Sequence, residues 1–294
     1  MKALNILFSV ILLLIISCEK DDNLRLDNQS GFRLEISDSI IFNSNQIDFY
    51  DFSSHLIYLK DGHSFSYSKS GFFNVFVDSS LIYKGQMLPM YSSLMPMGPV
   101  INCSPTFYDK SIISIGFNQI IGLDGSSNID PRNDERIINV LKKSGQYRAG
   151  LTCNIITIQK LSSNTVKIEI QLTNHDLDNL LYLDPNKMGL GLFHYFTNGL
   201  ILRDLSYNSY SHKLTKLQPE PWNSWNIEWL SIIKSNETKT ISIIYDNFET
   251  TPVGQYEANF IFPGLTYQID KSNLNQDNGR IWLGKIQMKK KIDF

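Results

Sequence analysis

The chain has 294 residues, of which 42% are hydrophobic, 12% aromatic and only 19% charged. Its 27 Lys and Arg stand against 29 Asp and Glu, a formal charge of −2, which excludes the basic footprint that nucleic-acid binding needs. The length exceeds the usual size of one domain and the apolar content is ample for packed cores, so two domains are expected.

Lys2 is followed by an apolar run from Ile6 to Ile16 broken only by Ser9, a length that suits a signal peptide and falls short of a bilayer span. Residues 1–17 are therefore read as a leader to be removed. Ile15-Ile16-Ser17-Cys18 resembles the lipobox of bacterial lipoproteins, which implies cleavage before Cys18 and acylation of its sulfur. Glu19-Lys20-Asp21-Asp22 resembles the acidic export signal of Bacteroidetes lipoproteins. That resemblance implies that Lys20, Asp21 and Asp22 send the protein to the outer face of the outer membrane. The sequence holds no second apolar stretch of about 18 residues, so membrane attachment is expected only through the acyl chains on Cys18. Residues 18–30, with Asn23, Asp27, Asn28 and Gln29, read as a flexible tether.

Residues 31–145 are expected to form a β-rich domain with one helix. Short β-type runs at Phe32–Ile36, His55–Lys60, Phe72–Val77, Leu81–Tyr83 and Ile112–Asn118 are punctuated by Gly, Asp, Asn and Ser. Phe76–Tyr83 reads as a hairpin with Ser79 where glycine would tighten the turn. Gly85–Cys103 contains Pro89, Pro96 and Pro99 and reads as a long loop packed by Met87, Met90, Met95 and Met97. Thioethers beside Cys103 have the softness that Cu(I) prefers, but filling irregular core space is the commoner use of methionine and is preferred. Asp124, Ser126, Asn128 and Asp130 alternate like calcium-loop ligands ahead of Glu135. Ile129 stands where that loop needs glycine and Pro131 interrupts it, so a turn leading into a helix is preferred. Asp130 as N-cap, Pro131 in the first turn, the stripe Ile137, Ile138 and Leu141, and Lys142-Lys143 before Gly145 delimit that helix.

Residues 146–294 show cleaner strand periodicity. Val166, Ile168, Ile170 and Leu172 alternate with Lys167, Glu169, Gln171 and Thr173, as in a strand buried on one face. Further strands are predicted at Leu151–Gln159, Leu190–Thr197, Leu200–Arg203, Ile227–Lys234, Lys239–Tyr245, Gln255–Phe262 and Arg280–Met288, which favours an antiparallel sandwich. Ile168–Asn174 and Pro252-Val253-Gly254-Gln255-Tyr256 resemble strand motifs of bacterial Ig-like modules, implying an Ig-like β-sandwich for this half. Tyr50–His55, Val75–Asp78, Ile82–Gly85 and Gly98–Ile101 resemble the first domain of Bacteroidetes surface lipoproteins, a likeness that brings no activity with it.

The five histidines, His55, His63, His175, His194 and His212, form no metalloprotease, hydrolase or nucleotide motif, and neighbours such as Ser54 and His55 would diverge on a strand. His194, on an expected strand, reads as a packed or surface residue. The chain is therefore expected to be non-enzymatic, with no cofactor and no metal. Cys103 and Cys153 permit a disulfide in an exported protein, and two isolated thiols fit equally well. Trp222, Trp225 and Trp229 cluster after Pro221. Trp225 and Trp229 share strand parity with Ile227 and are expected in the core, whereas Trp222 precedes the strand and is expected to be exposed. Two functions stay open. One is a surface binding module, for glycan by the Bacteroidetes resemblance, with Trp222, Tyr207 and Tyr210 as stacking platforms. The other is a structural or accessory protein that binds a partner protein in an envelope complex.

Overall fold

The computed structural model describes residues 30–36, 40–66, 70–89, 96–103, 108–118, 129–221, 224–263 and 269–294. The fold is mainly β. In the first half, a six-stranded sheet runs in the order Ile40–Asn43, Phe32–Ile36, Gly71–Val77, Ser80–Pro89, Gly98–Cys103, Gly116–Asn118. Its neighbours are antiparallel except Ser80–Pro89 and Gly98–Cys103, which are parallel. A second sheet orders Tyr147–Arg148, Ile47–Asp51, Leu56–Leu59 and Ile112–Ser114. Alternate residues such as Leu34, Ile36, Phe73 and Val75 point inward to one buried cluster.

The expected hairpin closes at Asp78, whose φ of 53° supplies the left-handed turn that glycine would otherwise provide. The predicted loop Gly85–Cys103 is corrected over its described part, where it belongs to two parallel strands. The prolines misled there, because Pro89 and Pro99 sit at strand ends where a lost ladder donor is tolerated. The predicted helix also differs at its start. Asp130 caps a single 3-10 turn, Pro131–Asn133, and Asp134 caps the α-helix Glu135–Lys143 by accepting from Arg136 N at 2.9 Å. Ile137 and Leu141 seal it to the first core. Asp134→Ala should lower stability by about 1 kcal/mol, read as a shifted denaturation midpoint; an unchanged midpoint would contradict the capping role.

In the second half, three sheets enclose one core. They order Leu151–Ser162, Thr165–Asn174, Thr238–Tyr245; then Leu230–Ile233, Leu180–Leu183, Gly279–Ile281, Asn275–Gln276; then Ser209–Ser211, Ile201–Asp204, Gln255–Phe262, Ile286–Asp293. All pairs are antiparallel except Leu180–Leu183 with Gly279–Ile281. Val166, Ile168, Ile170 and Leu172 face the core, as their alternation requires. Asn174 ends that strand by turning the chain, with Oδ1 accepting from Asp176 N and Nδ2 donating to Asp178 O. Tyr256 OH donates to Pro252 O at 2.6 Å, tying its strand back to the preceding corner.

Three expected strands of this half are corrected. Leu190–Thr197 is a helix, led by the capped turn Pro185–Met188 and stopped by Asn198 and Gly199, both left-handed. A short apolar run reads the same for a strand and a buried helix, and the Asp184-Pro185 start signal went unused. Ile227–Trp229 is a 3-10 turn capped by Asn226, and the strand begins at Leu230. Strand parity therefore fails there: Ile227 is 46% exposed, while Trp225 and Trp229 are half-buried against the core. Arg280–Met288 divides into Gly279–Ile281 and Ile286–Asp293, which join different sheets. Ile112–Asn118 likewise splits at Ile115 between both sheets of the first half.

Residues 146–150 are held at both ends. Gln146 Nε2 donates to Ile47 O, Phe52 N donates to Arg148 O, and Gly150 N donates to Asp176 Oδ1. The second core also takes in Leu56, Tyr58 and Ile112 from the first half. Between the halves, the buried Arg280 guanidinium reaches Asp176 Oδ2 at 3.0 Å and Asp51 Oδ2 at 3.5 Å, and lies over the rings of Phe49 and Tyr58. Ser53 Oγ donates to Asp51 and accepts from the indole N–H of the buried Trp282.

Candidate functional site

The hairpin joining Ile201–Asp204 to Ser209–Ser211 presents the exposed aromatic group of interest. Asp204 N donates to Asn208 O and Tyr207 N donates to Asp204 O, closing the turn. The Asp204 carboxylate organises it, accepting from Ser206 N and Asn208 N at Oδ1, and from the Asn208 amide and Tyr210 OH at Oδ2. These bonds, the Asn208 side-chain amide foremost, hold its carboxyl below the usual carboxylate range. Tyr207 has a φ of 65°, uncommon for a residue with a Cβ, and is 81% exposed. The turn thus holds a large aromatic in an uncommon conformation and out in water.

Tyr207 and Leu205 wall a groove of about 500 Å³ over the outer face of the sheet. The antiparallel register sets its floor: Arg203 opposes Glu257, which opposes Lys291, and Gln255 opposes Asp293. Residues directly opposed in a sheet share a face, so donors and acceptors alternate along the floor. Glu257 also pairs with Lys289 at 3.3 Å. The volume is within the range of small-molecule sites, and the mixture of guanidinium, ammonium, amide and carboxylates suits a ligand whose groups both donate and accept.

Of the sequence-predicted site residues, Tyr207 lines this groove. Tyr210 does not: it is half-buried, packs edge-on against Tyr256 at 5.7 Å and reaches Asp204 with its hydroxyl, so it braces the turn. Trp222, Cys18, Lys20, Asp21 and Asp22 lie outside the described residues. Arg203, Glu257 and Lys291 were missed because only cross-strand register brings them together; exposed charges at alternate strand positions were the available signal.

The other sequence candidates fare differently. Asp124, Ser126, Asn128, Met90 and Met95 lie outside the described residues, Asp130 is a cap, Met87 is buried and Met97 is exposed. Among the described residues, no three His, Cys, Asp or Glu gather as metal ligands. Cys103 and Cys153 are not joined to each other and belong to separate cores, with burial raising their thiols to about 11 and about 12. His55 lies in a turn with a φ of 52° and meets Tyr50 OH at 3.0 Å. A polar hollow of about 550 Å³ between the halves includes Phe49, but Arg148 and Arg280 lie over its ring, so it offers no free stacking face.

No family model and no curated protein matches the chain. Among solved structures, a β-glucosidase from Kluyveromyces marxianus is similar over 49% of this chain and 14% of its own length, with 11% identity and a TM-score of 0.19. A likeness that slight carries no argument about fold or activity.

Proposed function

We propose that the protein is a surface lipoprotein of the Bacteroidetes type, anchored through Cys18, acting as a non-enzymatic binding module for glycan. The observation that carries this reading is Tyr207, held in left-handed geometry beside a floor of alternating donors and acceptors. A sugar ring offers C–H faces that an aromatic covers and hydroxyls that both donate and accept, so one flat side chain over a mixed polar floor recognises both features. No described helix is long and apolar enough to cross a membrane. A glycan array probed with purified residues 24–294, beside affinity capture from envelope extract, tests the reading. Binding to a defined sugar supports it; a silent array with one reproducible protein partner overturns it.

The alternative, a structural or accessory protein of an envelope complex, is favoured by a different surface. Ile41, Phe72 and Leu81 are exposed on one face of the six-stranded sheet, where a partner protein would cover them.

The anchor has its own test. Cys18→Ala should shift the protein from the membrane fraction to a soluble or unprocessed form. Substitution of Lys20, Asp21 and Asp22 should protect it from protease added to intact cells. Membrane retention with unaltered acyl labelling, or protection of the unsubstituted protein, would contradict the proposal.

A further inference from the structure

The helix Leu190–Thr197 turns His194 fully inward, and neither ring nitrogen has a hydrogen-bond partner. His212, the residue after Ser209–Ser211, stacks on it with ring centroids 3.6 Å apart and 15° between planes. Tyr245 lies nearly parallel to both, 5.0 Å from His194 and 5.7 Å from His212. His212 Nε2 faces Asn198 O at 3.2 Å and therefore carries the proton, so Nδ1 is left without a partner. Gly199, at a φ of 74°, closes the site. A Cβ there would lie 2.4 Å from His212 Nε2 and 2.8 Å from His194 Nδ1, so the backbone clamps both rings.

Among the described residues, no carboxylate is hydrogen-bonded or ion-paired to either ring. From its own side the chain brings Lys216, which donates to Asn198 Oδ1; the opposite strand brings the phenol of Tyr245; and Glu249 is engaged by Ser211 N at 2.7 Å. An imidazolium formed here would lack a counter-ion and would face a second imidazole and an ammonium. Burial first, then His212 and Lys216, hold His194 down to about 3, and burial lowers His212 as well.

We infer that His194 and His212 form an acid-sensitive latch that fastens the Tyr207 hairpin to the helix Leu190–Thr197 and releases it when either ring takes up a proton. His212 continues the second strand of that hairpin, so parting the rings frees Ser209–Ser211 and with it the support of Tyr207. In the open state the imidazoles regain their ordinary affinity for protons. Each pH unit below about 6.5 therefore favours opening by about tenfold per histidine. The inference goes beyond the glycan reading, since the hairpin opens whatever the groove binds.

Hydrogen exchange of the whole protein, corrected for intrinsic rates, tests it at pH 7.5 and 5.5. Peptides covering residues 200–213 should differ about tenfold to a hundredfold in protection between the two pH values. In His194→Phe with His212→Phe, which keeps two stacked rings but neither proton site, that difference should vanish. If the double variant does not fold, His212→Phe alone should reduce it. An undiminished pH response of these peptides in the variant that folds would overturn the inference.

Discussion

Arg280→Ala should lower the unfolding free energy by about 3–5 kcal/mol, the range for removing one partner of a buried charge cluster. Asp51 and Asp176 are 0% and 3% exposed, and Arg280 is the cation that both carboxylates meet. Burial pushes the Asp51 carboxyl up and Arg280 opposes that rise, so loss of the guanidinium leaves two like charges in a poorly solvated seam. Packing is lost as well, since Phe49 and Tyr58 lie under the guanidinium. The damage comes mostly from the acids left behind. Arg280→Met combined with Asp51→Asn and Asp176→Asn should therefore recover much of the stability that Arg280→Ala loses. Urea denaturation of the three proteins measures this; a loss below about 1 kcal/mol in Arg280→Ala would show that the seam does not depend on the ion cluster.

Acidification from pH 7.5 to pH 5 should remove about 4 kcal/mol of global stability. Burial is the main cause holding His55 down to about 3, with Arg132 adding to it, and His194 falls to a similar value. Their folded values lie below the unfolded imidazole value near 6.5, so between these limits the unfolded chain binds more protons. Stability is then complete above about pH 6.5 and falls as the pH drops toward 3. Each of the two histidines contributes about 2 kcal/mol by pH 5, before His212 is counted. Asp130, Asp134 and Asp204 are held below their usual range and add losses only at lower pH. Denaturation midpoints across this range, compared with His55→Gln and His194→Phe, would separate the shares. A flat profile from pH 7.5 to 5 would contradict the burial of neutral imidazoles.

The strands that were legible share one property: a single buried face. Thr165–Asn174 could be placed because Val166, Ile168, Ile170 and Leu172 alternate with polar neighbours, and Gln255–Phe262 because Tyr256, Ala258, Phe260 and Phe262 do the same. The helix Leu190–Thr197 was not legible, since Leu190, Leu192, Phe193, Tyr195 and Phe196 pack around much of its circumference and leave neither period visible. The site was partly legible. Tyr207 stands out as an aromatic among turn formers, but the floor beneath it depends on the pairing of Arg203, Glu257 and Lys291 from three distant strands. The seam was beyond reach for the same reason, as Asp51 and Arg280 are 229 residues apart in the chain.

The most direct measurement is the affinity for the best sugar from the array, compared by titration calorimetry among the unsubstituted protein, Tyr207→Ala and Tyr207→Trp. Stacking and the apolar area it covers together contribute about 1.5–2 kcal/mol, so Tyr207→Ala should weaken binding by about tenfold to thirtyfold while Tyr207→Trp retains it. Equal affinity in Tyr207→Ala would place the ligand elsewhere and contradict the groove as the binding site.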